Sequence, residues 1–162
     1  MTTTVHKDPN TLTMSFETHF DASVDRIWQM WANPRLLERW WGPPTYPSTF
    51  ESHDLSPGGH VSYFMTGPEG DKPRGWWRVI SVEPPTSLKF EDGFADDDGS
   101  PVADSPVMQV EVSLREVDGG TTMSVASRFE SLEAMEEVLA MGAEEGMMEA
   151  IAQIDGLLNE SA

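Results

Sequence analysis

Residues 131–159, with the sequence SLEAMEEVLAMGAEEGMMEAIAQIDGLLN, carry the pattern that decides the fold. Apolar and small residues recur at helical spacing from Leu132 to Leu157, and most of the glutamates lie off that stripe. Ser131 supplies the kind of side chain that commonly caps a helix N-terminus. The pattern therefore predicts one long helix, and a helix with a single apolar face needs a broad sheet to lie on.

The chain before this helix predicts such a sheet, because apolar and polar residues alternate with period two in several segments. The clearest is 107–117, where apolar residues from Met108 to Leu114 share one face. We predict strands over 11–20, 49–55, 60–66, 75–82, 88–94, 107–117 and 123–129, with turns at 57–59, 84–85 and 118–120. The acidic segment 92–106, rich in turn-forming residues, is expected to be a mobile loop.

Two short helices are predicted between the first strand and the rest of the sheet. Ser23 can cap the first, whose Ile27 and Trp31 fall on one apolar face. Asn33 can cap the second, which is predicted over 35–41. The order of strand, two short helices, further strands and long helix predicts an α+β fold. In it an antiparallel sheet of about six to seven strands wraps around the C-terminal helix.

Length and composition restrict the classes of function. The 162 residues suffice for one domain with a core, so we assign 11–160 to a single domain and 1–10 to a flexible N-terminal segment. The net charge of −18 repels nucleic acids and anionic membranes, so neither is an expected partner. The chain has no cysteine, which excludes disulfides and zinc–thiolate sites. It has no bilayer-spanning apolar run and no signal-peptide pattern, so a cytoplasmic location is expected.

Four local features, in this order along the chain, resemble those of one known family. They are Trp40-Trp41-Gly42-Pro43, the run Asp-Leu-Ser-Pro-Gly-Gly at 54–59, Gly75 leading to Pro84-Pro85 and Leu88, and the glycine-bearing terminal helix. Over roughly residues 12–158 the chain resembles the START-like (SRPBCC, helix-grip) superfamily. Within that superfamily it is similar to the family related to the C-terminal domain of the activator of heat-shock protein 90 ATPase.

The resemblance implies a helix-grip fold with a cavity for a small apolar molecule between the sheet and the C-terminal helix. The family often has an arginine at the position of Ser56 and an aromatic residue at that of Met147. Chaperone activation is not implied, because the separate N-terminal domain of the chaperone activator is expected to be absent. The resemblance thus predicts a binding fold without naming its ligand.

Two glycines of the predicted terminal helix mark where a cavity would lie. Gly142 and Gly146 stand one turn apart on the inward stripe, where each costs about 1 kcal/mol relative to alanine. They either let a strand cross closely or leave empty volume above the sheet, and both interpretations stay open. Flexible methionines and large aromatic residues on the enclosed faces would form the rest of the wall. The predicted pocket residues are His53, Tyr63, Met65, Trp77, Phe90, Met108, Val110, Met123, Met135, Leu139, Gly142, Gly146 and Met147.

The sequence offers little that predicts catalysis. It has no Gly-x-Ser-x-Gly motif, no phosphate-binding glycine-rich loop and no His-Glu-x-x-His motif, so no catalytic residue and no cofactor is predicted. His53, Asp54 and His60 are close in sequence, but the hairpin turn between them and the lack of a recognisable ligand set argue against a metal site. Asp54 and His53 are the only inward-facing acid–base candidates that the pattern suggests.

Three functions are consistent with these observations. The first, which we predict, is a ligand-binding module and not an enzyme, with an unidentified apolar small molecule between the sheet and the terminal helix. The second is an interaction protein whose acidic helix face docks a basic protein partner, although the acidity also suits simple solubility. The third is a cyclase- or hydratase-like enzyme that acts in the same cavity. The chain is expected to be a monomer or a homodimer.

Overall fold

The computed structural model describes residues 2–160, which form eight strands and four helices. In chain order the elements are β1 (Thr3–Asp8), β2 (Thr13–Phe20), α1 (Val24–Ala32), α2 (Pro34–Trp40), β3 (Ser48–His53), β4 (His60–Met65), β5 (Arg74–Glu83), β6 (Ser87–Ala95), β7 (Val107–Val117), β8 (Gly120–Arg128), α3 (Leu132–Ala140) and α4 (Ala143–Glu160). The predicted α+β class, with two short helices after an early strand and a helical C-terminal segment, is confirmed.

The eight described strands belong to one antiparallel sheet with the order β1-β2-β8-β7-β6-β5-β4-β3. The chain leaves β2 near one edge and enters β3 at the other, so α1 and α2 form the connection across the sheet. The inner face alternates as predicted, since Val110, Val112 and Leu114 of β7 are buried while the residues between them are exposed. Ile151 and Ile154 of α4 join the same buried core.

The first two helices begin where their capping residues predict. The Ser23 hydroxyl accepts a hydrogen bond from the Arg26 backbone N–H at 3.2 Å, and α1 follows directly. The Asn33 side-chain oxygen accepts one from the Arg35 N–H at 2.9 Å, with Pro34 at the start of α2. These caps satisfy N–H groups that have no partner within the helix itself.

The terminal segment forms two helices, so the prediction of one long helix over 131–159 is wrong. α3 ends at Ala140 and α4 begins at Ala143, with Gly142 between them at a φ of +86°. Glycine adopts this left-handed conformation without a steric penalty, so Gly142 ends α3 in the manner of a C-terminal cap. The apolar spacing continues across the break, so the sequence pattern does not reveal it. Leu132, which belongs to the predicted apolar stripe, is 47% exposed.

Strand β1 occupies most of the segment 1–10 that the sequence predicts to be flexible. It pairs with β2 along its whole length, and Lys7 forms an ion pair with Glu144 of α4. The strand contains a single large apolar residue, Val5, so hydrophobic alternation carries no signal for it. With this edge strand the described sheet has eight strands, against a predicted number of about six to seven. Met1 lies outside the described residues.

A cluster of aromatic side chains fills the core where α1 and α2 meet the sheet. Trp31 is fully buried, its ring centroid lies 4.8 Å from that of Trp40, and its indole N–H donates to the Met123 sulfur at 3.4 Å. Trp77 of β5 stacks on Phe90 of β6, with ring centroids 4.0 Å apart. Aromatic pairs at such distances add stability beyond that of their buried area.

The register of β5 can be tested with its two adjacent tryptophans. The period-two pattern does not decide which of them faces inward, and the structure buries Trp77 while leaving Trp76 partly exposed. Trp77→Ala is expected to lower the free energy of unfolding by about 3 to 5 kcal/mol, because it leaves a cavity in the core. Trp76→Ala should cost roughly 1 kcal/mol. Urea denaturation measures both losses, and equal losses or the reverse order would contradict this register.

Candidate functional site

A cavity of about 330 Å³ lies between the inner face of the sheet and the junction of α3 with α4. Strands β2, β4, β6, β7 and β8 form one wall, residues 41–46 after α2 form a second, and α3 and α4 form the third. The predicted pocket residues that line it are Tyr63, Met65, Met108, Val110, Gly142, Gly146 and Met147. The structure therefore brings together seven of the predicted residues, from β4, β7 and the terminal segment.

The rest of the cavity wall consists of residues that the sequence analysis did not assign to a pocket. Met14 and Phe16 are on the inward face of β2, and the period-two alternation of the sequence is enough to place them there. Residues 41–43 belong to one of the motifs that carry the family resemblance, which does not place them at the cavity. The additional lining residues are Met14, Phe16, Trp41, Gly42, Pro43, Tyr46, Asp92, Phe94, Ser127, Val138, Met141, Ala143 and Ala150.

The two glycines of the terminal segment leave open volume. A Cβ atom built on Gly142 or Gly146 would meet no atom within 4 Å, and both residues line the cavity. Of the two interpretations of these glycines, the structure thus favours the empty volume over a close strand crossing. The left-handed backbone at position 142 is a second reason for glycine there, whereas Gly146 lies in a regular turn of α4.

Several predicted pocket residues lie outside the cavity. The His53 Nε2 lies 3.0 Å from the Trp31 carbonyl oxygen, and Trp77 and Phe90 stack within the aromatic cluster. Inward orientation is common to core and cavity residues, so strand parity alone does not separate them. The predicted residues that do not line the cavity are His53, Trp77, Phe90, Met123, Met135 and Leu139.

Asp92 places a carboxyl group in this mostly apolar wall. It lies on β6 and is 8% exposed, and the Tyr63 hydroxyl donates to its Oδ1 at 3.1 Å. The sequence analysis includes it both in the predicted strand over 88–94 and in the mobile loop over 92–106. The structure agrees with the strand, because β6 continues to Ala95 and keeps Asp92 inside. Asp92 has the inward parity of Phe90 along the strand, and this is the sequence signal that identifies it.

Burial raises the pKa of the Asp92 carboxyl to about 7, and the hydrogen bond from Tyr63 opposes this shift. Near neutral pH the group is therefore present in both protonated and ionised forms. In an apolar cavity such a carboxyl can pair with a cation, donate a hydrogen bond or transfer a proton. The acid–base candidates of the sequence analysis lie elsewhere, since Asp54 is exposed and bonded to Ser56, and His53 does not reach the cavity.

Tyr63 connects the cavity wall to the aromatic cluster. Its ring stacks on Phe50 with centroids 5.0 Å apart, and Gly75, opposite it on β5, leaves it room because a Cβ there would overlap the hydroxyl. Burial, followed by the charge of Asp92, raises the pKa of Tyr63 well above its usual value, so its hydroxyl stays a donor at neutral pH. Trp41 lines the cavity, and its buried indole N–H has no hydrogen-bond partner among residues 2–160.

The described residues contain no group of three or more histidine, aspartate or glutamate side chains that could hold a metal ion. Within residues 2–160 no helix is long and apolar enough to cross a membrane. The ionisable groups of the cavity wall are Asp92, Tyr63 and Tyr46. The acid–base chemistry that this wall offers a bound molecule is therefore centred on the pair formed by Asp92 and Tyr63, and Ser127 and the Trp41 indole N–H add neutral polar groups.

The titration of Asp92 is expected to make protein stability depend on pH. Its pKa of about 7 in the folded state lies above the ordinary value of 3.8, so the folded state binds the extra proton and stability is lost as pH rises between them. We expect the wild type to lose roughly 2 to 3 kcal/mol relative to Asp92→Asn from pH 5 to pH 8. Urea denaturation at both pH values measures this loss. Asp97→Asn, at an exposed carboxyl in the next loop, is the control, and an Asp92→Asn stability that parallels the wild type would contradict the shift.

Comparison with proteins of known structure gives relatives that extend over almost the whole chain. The crystal structure of a protein from Mycobacterium smegmatis is 48% identical, covers 96% of this chain and 95% of its own, and superposes with a TM-score of 0.89. The solution NMR structure of a protein from Arthrobacter aurescens is 50% identical, covers 97% of this chain and 91% of its own, and has a TM-score of 0.93. The AHSA1 protein from Silicibacter pomeroyi, 22% identical with coverage of 93% and 99%, has the same fold at a TM-score of 0.75.

Comparison with curated protein sequences gives no match. The family model for the Activator of Hsp90 ATPase homolog 1-like protein matches residues 21–159, from the end of β2 through almost all of α4. The matched segment contains α1 and α2, six of the strands and both terminal helices, and with them most of the cavity wall. The chain therefore belongs to the Activator of Hsp90 ATPase homolog 1-like family, within the START-like superfamily.

Proposed function

We propose that the protein binds a compact apolar small molecule in the cavity between the sheet and the terminal helices. The observation that supports this most directly is the open volume beside Gly142 and Gly146, which no described side chain fills. Ligand sites are typically concave and mostly apolar, with a small number of polar groups that orient the ligand. The wall has this composition, because Asp92 and Tyr63 lie among methionines, aromatic rings and small aliphatic residues.

The size of the cavity restricts the ligand. A volume of about 330 Å³ is near the lower end of the range for small-molecule sites, which favours a compact aromatic or short-chain molecule over a sterol or a long lipid. Met65, Met108 and Met147 give the wall side chains that adapt to different apolar shapes. Met141 lines the cavity and is 57% exposed, so it marks the side from which a ligand would enter.

A second candidate function, an acid–base enzyme in the same cavity, draws support from Asp92. Its carboxyl has a pKa of about 7 and adjoins the Tyr63 hydroxyl, an arrangement that suits proton transfer to or from a bound molecule. We favour binding without turnover as the primary function. Docking of a basic partner on the exposed glutamates of α3 and α4 stays a prediction, because exposed charge alone identifies no partner.

Gly146→Leu is expected to fold and to lose ligand binding, because its side chain would occupy the open cavity. Gly156→Leu is a matched control, since it adds the same side chain to an exposed position of α4 where a Cβ also meets no atom within 4 Å. A thermal-shift titration with naphthylmethanol should raise the Tm of the wild type and of Gly156→Leu, but not that of Gly146→Leu. Two outcomes would show that the cavity assignment is wrong. Gly146→Leu could bind the probe like the wild type, or it could lose roughly 1 to 3 kcal/mol of stability, as overpacked variants do.

Binding and turnover are distinguished by the chemical state of the ligand. Native mass spectrometry of the purified protein identifies any retained molecule, and incubation with excess of that molecule shows whether it is converted. We expect recovery of the unchanged ligand. Conversion by the wild type that Asp92→Asn lacks would instead establish the enzyme, with Asp92 as the proton-transferring group.

A further inference from the structure

The carboxyl group of Asp92 has an incomplete set of partners. Its Oδ1 accepts the hydrogen bond from Tyr63, while its Oδ2 has no hydrogen-bond partner among residues 2–160. No lysine, arginine or histidine is among the described residues that line the cavity. The ionised form of Asp92 therefore has one donor and no counter-charge within the apolar wall.

A buried carboxylate without a counter-charge is costly, and a ligand can remove that cost. An ammonium group next to Oδ2 would supply both the missing positive charge and a donor for a charge-assisted hydrogen bond. A carboxylate on the ligand would have the opposite effect, because two negative charges at one apolar site repel each other. A neutral hydroxyl would supply a donor but no charge.

The surroundings of Asp92 also favour a cation. Trp41 lines the cavity with its ring centroid 6.2 Å from that of Tyr63, so an ammonium group near the Asp92–Tyr63 pair would lie beside aromatic rings that attract cations. The net charge of −18 adds a general attraction for cations at the surface. The aromatic rings, the missing partner of Asp92 and the net negative charge therefore all favour a cationic ligand.

We propose that the ligand of this cavity is an apolar amine whose ammonium group pairs with Asp92 while its apolar body occupies the volume beside Gly146. The proposal rests on the proposed binding function, and it adds the class of ligand. Ligands with the same apolar body and a neutral or acidic group in place of the amine bind more weakly.

The pairing makes amine affinity depend on pH. The other titratable groups that face the cavity are Tyr63 of β4 and Tyr46 of the loop after α2. In the empty cavity the pKa of Asp92 is about 7, so below this pH its carboxyl must first lose a proton before it can pair with the amine. The amine itself is protonated throughout this range, so its dissociation constant should rise about tenfold for each pH unit below 7.

The test uses three probes with one apolar body: naphthylmethylamine, naphthylmethanol and naphthoic acid. Titration calorimetry at about pH 7.5 should give the amine a dissociation constant at least about tenfold below those of the alcohol and the acid, the advantage expected of a hydrogen bond to a charged group. Asp92→Asn should remove the preference for the amine over the alcohol. Asp97→Asn removes the same charge from an exposed loop, so it should keep the preference and thereby exclude attraction by the net charge alone.

The outcomes separate this inference from the proposed function. If the amine and the alcohol bind equally, and Gly146→Leu abolishes both, the cavity binds apolar molecules but the amine inference is overturned. It is also overturned if naphthoic acid binds most tightly, or if Asp92→Asn keeps the preference for the amine. If none of the three probes binds the wild type, both the inference and the proposed function fail.

Discussion

The burial of Trp31 is the interaction on which the rest of the structure depends. The residue lies on α1, and its ring contacts Trp40 and Trp41 on the helical side and Trp77 and Phe90 on the sheet. Its indole N–H donates to a sulfur of β8, and its carbonyl oxygen meets the ring of the last residue of β3. One side chain thus joins the helical connection to strands far apart in the sheet order. Ile27 and Leu37 of the same connection lie beside it in the core that α1 and α2 share with the sheet.

The cavity lies next to this aromatic cluster, in the part of the interior that large side chains do not fill. Large rings fill the space where α1 and α2 meet the sheet, while the small residues at the junction of α3 and α4 leave the neighbouring space open. Trp41 and Tyr63 belong to both regions, so this wall of the cavity is held by the packed cluster behind it. The methionines that line the cavity are flexible side chains that adapt to different shapes. A bound molecule would therefore meet packed rings, which need little ordering on binding, and adaptable methionine side chains.

The fold was predictable because its signals are local. The helix caps at Ser23 and Asn33 and the alternation of β7 identify their elements without any knowledge of the tertiary structure. The break at Gly142 was missed because apolar spacing continues through it and only the backbone conformation records it. Strand β1 was missed because its pairing uses backbone hydrogen bonds and almost no apolar surface.

The site was less predictable, because strand parity gives the face of a side chain but not its depth or its neighbours. Trp77 and Tyr63 face the same way, yet the first is enclosed by other rings and the second borders open volume. Asp92 shows the reverse difficulty, since its charge and its acidic neighbours in the chain suggest a solvated loop. Its burial accompanies the pairing of β6 with β5, in which Trp77 lies opposite it, and no local pattern contains that long-range contact.

The small residues of α4 that line the cavity affect its free volume but not the backbone of the fold. The aromatic cluster and the sheet determine the backbone, whereas side-chain size at Gly146 and Met147 determines how much of the enclosed space is free. Changes at these helix positions alter the capacity of the cavity without altering strand pairing. Proteins with this framework can therefore differ in the volume that they leave free, and the framework itself recurs in the Silicibacter pomeroyi protein at 22% identity.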